Sequence, residues 1–274
     1  MVRAVREGSR VSVVPSNPRR RSGVQSVEVG ASLLRALADA DGAQSLGVLA
    51  RAAGMSSAKA HRYLVSYVQA GLVVQSERSG AYDLGPLAVR VGLAALERFD
   101  VLRLAGERLG ALRDEVGQTV MLSVWTDAGP TVARIELSGH PVTLAVRVGT
   151  TFPLLTSATG LVFLAYAPDA VPADLVAAEV AAAQAARVPG APADDGAIAR
   201  LRAEIRNQGV ATADQTFMVG ICALAVPLLH GDGRLAAALT VIGRPGGLDR
   251  DPEGAVVRAL RAFAGAGAGS APRP

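Results

Sequence analysis

Residues 44–84, QSLGVLARAAGMSSAKAHRYLVSYVQAGLVVQSERSGAYDL, constrain the fold more than any other stretch of the chain. Leu46, Leu49, Ala50 and Ala53 recur at i, i+3, i+4 and i+7, one apolar face of a short helix, with Ser45 placed to cap its start. Gly54 breaks that pattern, and Ser56 stands where a second helix, running to Ala70, needs its N-cap. On the second helix Ala60, Leu64, Tyr67 and Val68 share one side. At 100° per residue Lys59, Arg62 and Ser66 lie opposite, flanked by Ala58. Gly71 supplies the left-handed residue that stops the helix. Leu72–Gln75 and Ala81–Leu84 can then pair as strands around Ser76–Gly80, with Arg78 at the tip. Helix, tight turn, helix and hairpin make a winged helix-turn-helix. A second helix with small and basic residues on its free face suits the major groove of double-stranded DNA. The bland alternative is a helical hairpin whose charges only solvate it. The turn glycine, the capped second helix, its terminator and the basic wing tip occur in the right order, and together they outweigh it.

The 274 residues suffice for two compact domains. Half of them are apolar but only 4% aromatic, so the cores must be built from Ala, Val and Leu. No apolar run is long enough to span a membrane and the N-terminus has no apolar signal core, so a cytoplasmic protein without a membrane partner is expected. The lone Cys222 fits a reducing compartment. The net charge of +4 is uneven: residues 1–23 carry +5, residues 24–100 none, and residues 101–274 carry −1. With no bulk positive field behind it, the helix-turn-helix must rely on a few oriented basic groups.

In chain order, residues 1–23 with Arg19-Arg20-Arg21 read as a disordered basic arm, either a phosphate or minor-groove contact or a solvated tail. Residues 24–84 form the DNA-binding domain. Its first helix is expected to start from a Ser22/Gln25 capping box, bury Val27, Ala31, Leu34 and Ala38, with Leu33 and Leu37 beside them, and end at Asp41-Gly42. Residues 85–99 are a linker helix opened by Gly85-Pro86, with Leu87, Val91 and Ala94 along one side as a candidate dimer contact. Residues 100–266 form a second domain. There a helix ends at Gly117, and strands follow over Thr119–Val124 (Val120, Leu122 and Val124 on the buried face), Thr131–Leu137 and Val142–Val148. A buried helix follows Thr156–Gly160, then an Ala-rich helix, a helix through Ile198, Leu201 and Ile205 stopped at Gly209, strands at 221–229 and 234–242, and a last helix over about 250–264. Residues 267–274 belong to a flexible tail. The fold class is α+β, an antiparallel sheet with helices packed on it.

Three scattered histidines and one cysteine offer neither a metal site nor a nucleophile–base pair, and no phosphate loop or nucleophile elbow is present. GAGAG at 265–269 follows a helix and lacks the strand–turn–helix that a dinucleotide fingerprint requires. No cofactor and no catalysis are expected.

The order of elements, with the segments GAYDLGPLAVRVG, VRVGTTFPLLTSATG and QGVATADQTFMVGICALAVPL, resembles the IclR family of bacterial transcriptional regulators over roughly residues 24–264. The resemblance implies a GAF-like effector-binding domain and dimers that commonly assemble into tetramers on an operator. It places the recognition helix at Ser56–Ala70 and the wing at Ser76–Gly80, which makes Ser56, Ser57, Lys59, His61, Arg62, Ser66 and Arg78 the expected DNA contacts. It places effector contacts at Ala158, Thr159 and Gly160 on a small-residue turn, at the acidic position Asp214, and at Ala223, Thr240 and Ile242. The family's Arg-Cys is displaced by one residue here, so Ala223 holds the pocket position. Its frequent pair of pocket serines is Thr240 and Ile242, and the Lys after its Ala-Gly turn is Leu161. The expected function is ligand-responsive repression of a catabolic or transport operon, the effector being a small organic acid with an apolar or aromatic body. The alternatives are a DNA-binding structural protein that senses no ligand, and an enzyme using the second domain, for which only Asp214 offers itself as a titratable group.

Overall fold

A computed structural model describes residues 23–97, 100–139 and 146–268. The N-terminal part comprises α1 (Gln25–Ala38), α2 (Leu46–Ala52), α3 (Ser57–Ala70), β1 (Val73–Gln75) and β2 (Tyr82–Leu84). Ser45 caps α2 through a hydrogen bond from Val48 N, and Ser56 caps α3 through one from Lys59 N. Gly71, at φ 76°, ends α3, and β1 pairs antiparallel with β2 to form the wing. Leu33, Leu37, Leu49, Ala50, Ala60, Leu64, Val73 and Tyr82 make the core of this part.

The first helix departs from its expected frame. Val24, not a Ser22 side chain, occupies the N-cap without a side-chain bond, and the C-cap is Asp39. Ser22 lies outside the described residues. Gly30, Leu33 and Leu37 face inward while Val27 is exposed. Leu34 packs only partly against the core that holds Leu33 and Leu37, and the ring of Tyr67 sits against Gly30, where a Cβ would fall 1.9 Å from its hydroxyl.

Next come α4 (Pro86–Glu97) and α5 (Asp100–Val116), which ends at Gly117 with φ 63°. The remainder is β3 (Thr119–Thr126), β4 (Gly129–Glu136), α6 (Ala158–Tyr166), α7 (Ala173–Ala185), α8 (Asp195–Gln208), β5 (Ala211–Asp214), β6 (Cys222–Leu229), β7 (Leu235–Gly243) and α9 (Ala255–Ala268). The five strands form one antiparallel sheet in the order β4-β3-β7-β6-β5. Of the strand expected at Val142–Val148, residues 142–145 lie outside the described residues, and Val146–Val148 belong to no strand.

Helices cover both faces of the sheet. Val120, Leu122, Leu224, Val226, Leu239 and Val241 point toward Leu109 and Leu112 of α5 and Val257, Leu260 and Phe263 of α9. The other face carries Ala225 and Ala238 under α6, with Ile198 and Ile205 of α8 packed beyond it. β3 is therefore buried on both sides, with Met121 and Ser123 as enclosed as their neighbours, where one buried face was expected. At the far end of β3 the Trp125 ring meets Phe163 of α6 at 5.6 Å between centroids. No helix among the described residues is long and apolar enough to cross a membrane.

Leu239 is fully buried on the central strand β7. Leu239→Ala should lower unfolding free energy by about 2–5 kcal/mol, to be read from a shift in the denaturant midpoint at unchanged slope.

Candidate functional site

The free face of α3 is open to solvent. Ser56, Ser57, His61, Arg62 and Ser66 are exposed and Lys59 is half-buried, while Arg78 is exposed at the tip of the wing. Ser66 Oγ donates to the Arg62 carbonyl at 3.2 Å, which turns its hydroxyl along the helix. Among the described residues none of Lys59, Arg62 and Arg78 is held in an ion pair, so their donors are available to phosphates or base edges. All seven expected DNA-contact residues thus lie on the outer side of α3 or on the wing.

A cavity opens at the N-terminus of α6. Ser157 builds this end: its Oγ donates to Pro153 O at 2.6 Å and accepts from Gly160 N at 2.9 Å, and its carbonyl accepts from Leu161 N. The first four N–H groups of a helix have no partner within it. Ser157 Oγ satisfies that of Gly160, the Leu161 bond is the helix's own first rung, and Ala158 and Thr159, which receive no such cap, line the cavity. Glu179 of α7 braces the preceding turn, accepting from Leu154 N at 2.7 Å and Leu155 N at 2.8 Å. A Cβ on Gly160 would meet Pro153 O at 2.2 Å and Leu154 Cα at 2.5 Å, so the turn crosses the helix backbone directly.

The helix side of the cavity is Ser157, Ala158 and Thr159, and the sheet side is Met121, Ala213, Ala223, Thr240 and Ile242. Phe152, Phe217 and Ile221 close it from the loops. Ladder register brings the sheet residues into two neighbouring rows, Met121 opposite Thr240 in one and Ala213, Ala223 and Ile242 side by side in the other. The empty space out to the mouth is about 370 Å³, of which only about 30 Å³ admits the centre of a water molecule. Thr159 and Thr240 hydroxyls meet at 2.9 Å, fully enclosed. None of the lining residues is ionisable. The charge of a bound anion would therefore be met by backbone N–H groups, the helix dipole and hydroxyls.

Five of the seven expected effector residues (Ala158, Thr159, Ala223, Thr240 and Ile242) line this cavity. Gly160 stands one layer behind. Asp214 does not reach the cavity, because β5 alternates: Ala211 and Ala213 point inward, Thr212 and Asp214 outward. Ala213 therefore takes the lining position on this strand. The Asp214 carboxylate pairs with Arg250, and it accepts from Cys222 Sγ at 3.1 Å and from Gln215 Nε2 at 3.4 Å. The Arg250 bond first, then that from Cys222, hold its carboxyl below the usual carboxylate range. Burial, then the bond to Asp214, pushes the Cys222 thiol up. Sequence reasoning missed Met121, Phe152, Ser157, Ala213, Phe217 and Ile221 on the walls, and Glu179 behind the turn. Ser157, three residues before Gly160, carried a local capping signal. Glu179 carried none, because it arrives from another helix.

The residues match two family models, the IclR helix-turn-helix domain over 26–77 and the bacterial transcriptional regulator IclR C-terminal domain over 93–266, the latter alone well over half of the chain. The chain belongs to the IclR family. It is similar to the transcriptional repressor IclR of Escherichia coli, 30% identical over 144 residues, 52% of this chain and 53% of that one. The alignment thus spans about half the length of that curated relative. The crystal structure of Pseudomonas aeruginosa HmgR is 38% identical, covers 89% of this chain and 97% of its own, and superposes with a TM-score of 0.53. An IclR homologue from Microbacterium hydrocarbonoxydans complexed with 4-hydroxybenzoate shares the fold, with a TM-score of 0.71 at 22% identity over 89% of this chain and 97% of that one. The curated IclR relatives are named as transcriptional regulators and repressors, not as enzymes.

A methyl group on Gly160 would press on backbone that cannot swing aside. Gly160→Ala should destabilise by about 1–3 kcal/mol, seen as a lower calorimetric midpoint. Gly47→Ala on α2, where nothing lies within 4 Å of an added Cβ, should be neutral or stabilising.

Proposed function

We propose that the chain is a ligand-responsive repressor of a catabolic or transport operon, binding duplex operator DNA through α3 and the wing. The solvent-facing side of α3, with Lys59 and Arg62 in no ion pair among the described residues, carries this reading. Lys59 and Arg62 reach guanine edges or phosphates, Ser56, Ser57, His61 and Ser66 border them, and Arg78 approaches the adjacent backbone. Arg62→Ala should weaken operator binding by about 1–3 kcal/mol and relax preference at one base pair if Arg62 reads a base. A gel-shift titration measures both, and unchanged affinity with unchanged preference removes Arg62 from the interface.

Copies of the chain bind together, as a homodimer or a tetramer. α4 supports this: Val89, Val91 and Leu93 are each more than half exposed, an apolar helix that nothing in the chain covers among the described residues. Of the expected stripe, Leu87 packs partly against Gly71, while Val91 and Ala94 stay open. One winged domain without net charge has little non-specific hold on DNA, so two half-sites engaged at once raise occupancy. Light scattering should give a dimer or larger at micromolar concentration, and a monomer both off and on DNA rejects the assembly.

The effector is a small organic acid with an apolar or aromatic body. Its carboxylate sits on the Ala158 and Thr159 N–H groups and the Thr159–Thr240 hydroxyls, and its body lies among Met121, Phe152, Ala213, Ala223 and Ile242. The complex of the Microbacterium hydrocarbonoxydans protein with 4-hydroxybenzoate supports room for an aromatic acid in this fold. A thermal-shift screen should rank aromatic and branched acids above short keto acids, and stabilisation by glyoxylate-sized acids alone overturns that order. A second reading, a DNA-binding structural protein that senses no ligand, is favoured by the small water-accessible space. It predicts no shift with any acid.

A further inference from the structure

Phe217 occupies an unusual place for a large apolar side chain. It is 41% exposed, yet it lines the cavity and sets its ring edge-on to Phe152 at 5.4 Å between centroids. The cavity offers about 370 Å³ out to its mouth but only about 30 Å³ to water. Bound small molecules need a few hundred Å³. No acid with a ring enters unless something at the mouth moves.

The backbone around Phe217 is not what moves. Gln215 N donates to Ile221 O at 2.9 Å, Ile221 N to Met218 O at 3.1 Å, and Gly220 N to Gln215 Oε1 at 3.0 Å. Thr216 Oγ1 donates to Thr156 O at 2.7 Å, tying the loop to the turn that precedes α6. Gln215 at φ 57° and Gly220 at φ 79° turn the chain sharply at either end. What is left to turn is the Phe217 side chain, 41% exposed and able to rotate about its own χ1 while the backbone stays held. Exposed rotamers interconvert within nanoseconds.

Resting on the effector-cavity reading above, we infer that Phe217 is a displaceable plug. Its ring fills the mouth in the empty protein, and the ring of an aromatic acid displaces it and takes over the edge contact with Phe152. Every aromatic ligand then competes with a side chain already in place, and the plug sets the lower limit of affinity. An acid too small to reach the mouth does not compete. Phe217 is thus a specificity residue that acts by occupying space, the opposite of a residue that grips the ligand.

Titration calorimetry with benzoate, 4-hydroxybenzoate and pyruvate, on the full-length wild type, Phe217→Ala and Thr240→Val, tests this. Phe217→Ala should bind the two aromatic acids a few-fold to about tenfold more tightly, the scale of one lost aromatic pair, with pyruvate unchanged. Detectable binding of an aromatic acid in Phe217→Ala alone supports the plug equally. Weaker or unchanged aromatic binding in Phe217→Ala overturns it, since a gripping ring or an idle one gives those results. Thr240→Val separates the two levels: aromatic binding that ignores the loss of the hydroxyl means the acid sits elsewhere, and the cavity reading fails. An unplugged Phe217→Ala protein, folded by its circular dichroism, that takes no acid overturns both.

Discussion

A helix without a polar face must be wrapped on every side, and α6 is such a helix. Every residue from Ala158 to Ala165 is buried. The consequences run outward from it. The sheet beneath must present short side chains, which is why Ala225 and Ala238 face it while Leu and Val crowd the opposite side. α7 and α8 must close over its back, and Arg206 Nε donates to the Ala165 carbonyl at 2.7 Å, satisfying an orphan acceptor at its end. At its start the chain must cross at backbone contact, which only Gly160 allows. The cavity forms where the wrapping stops.

The same enclosure explains the cavity's chemistry. A helix terminus with two free N–H donors inside an apolar wall attracts an anion without any basic side chain. A buried arginine would bind more strongly but would need a counter-charge whenever the cavity was empty. Hydroxyls and amides carry no such cost. The Thr159–Thr240 pair satisfies itself when alone and can turn its lone pairs or protons toward a guest.

Much of this was legible in the sequence, and the misses have physical causes. The helix-turn-helix was legible because its caps are local: Ser45, Ser56 and Gly71 act within a turn of themselves. On the first helix the buried stripe was centred off its true line, because Ala and Val at 3.6-residue spacing cannot say which side meets a neighbour: Leu33 and Leu37 hold the core, Leu34 packs partly against it, and Val27 and Ala38 are exposed. β5 escaped because four residues, Ala-Thr-Ala-Asp, carry too little strand preference to stand out. Asp214 was placed in the cavity by resemblance alone, and the strand corrects it: in a strand one position decides the face, so Asp214 points out and Ala213 lines the cavity. β3 was given one buried face because Val120, Leu122 and Val124 alternate with Thr119, Met121 and Ser123, and alternation cannot see that α6 covers the second face of the sheet. Long-range partners such as Glu179 and Phe217 leave no trace in spacing.

Trp125 is the chain's single tryptophan and leans on Phe163 of the enclosed helix. All indole emission therefore originates from one wall of α6, on the sheet face that also carries the cavity. A change in how that helix lies on the sheet alters the surroundings of the one indole. The molecule carries its own optical gauge, at the place where an occupied cavity and an empty one differ.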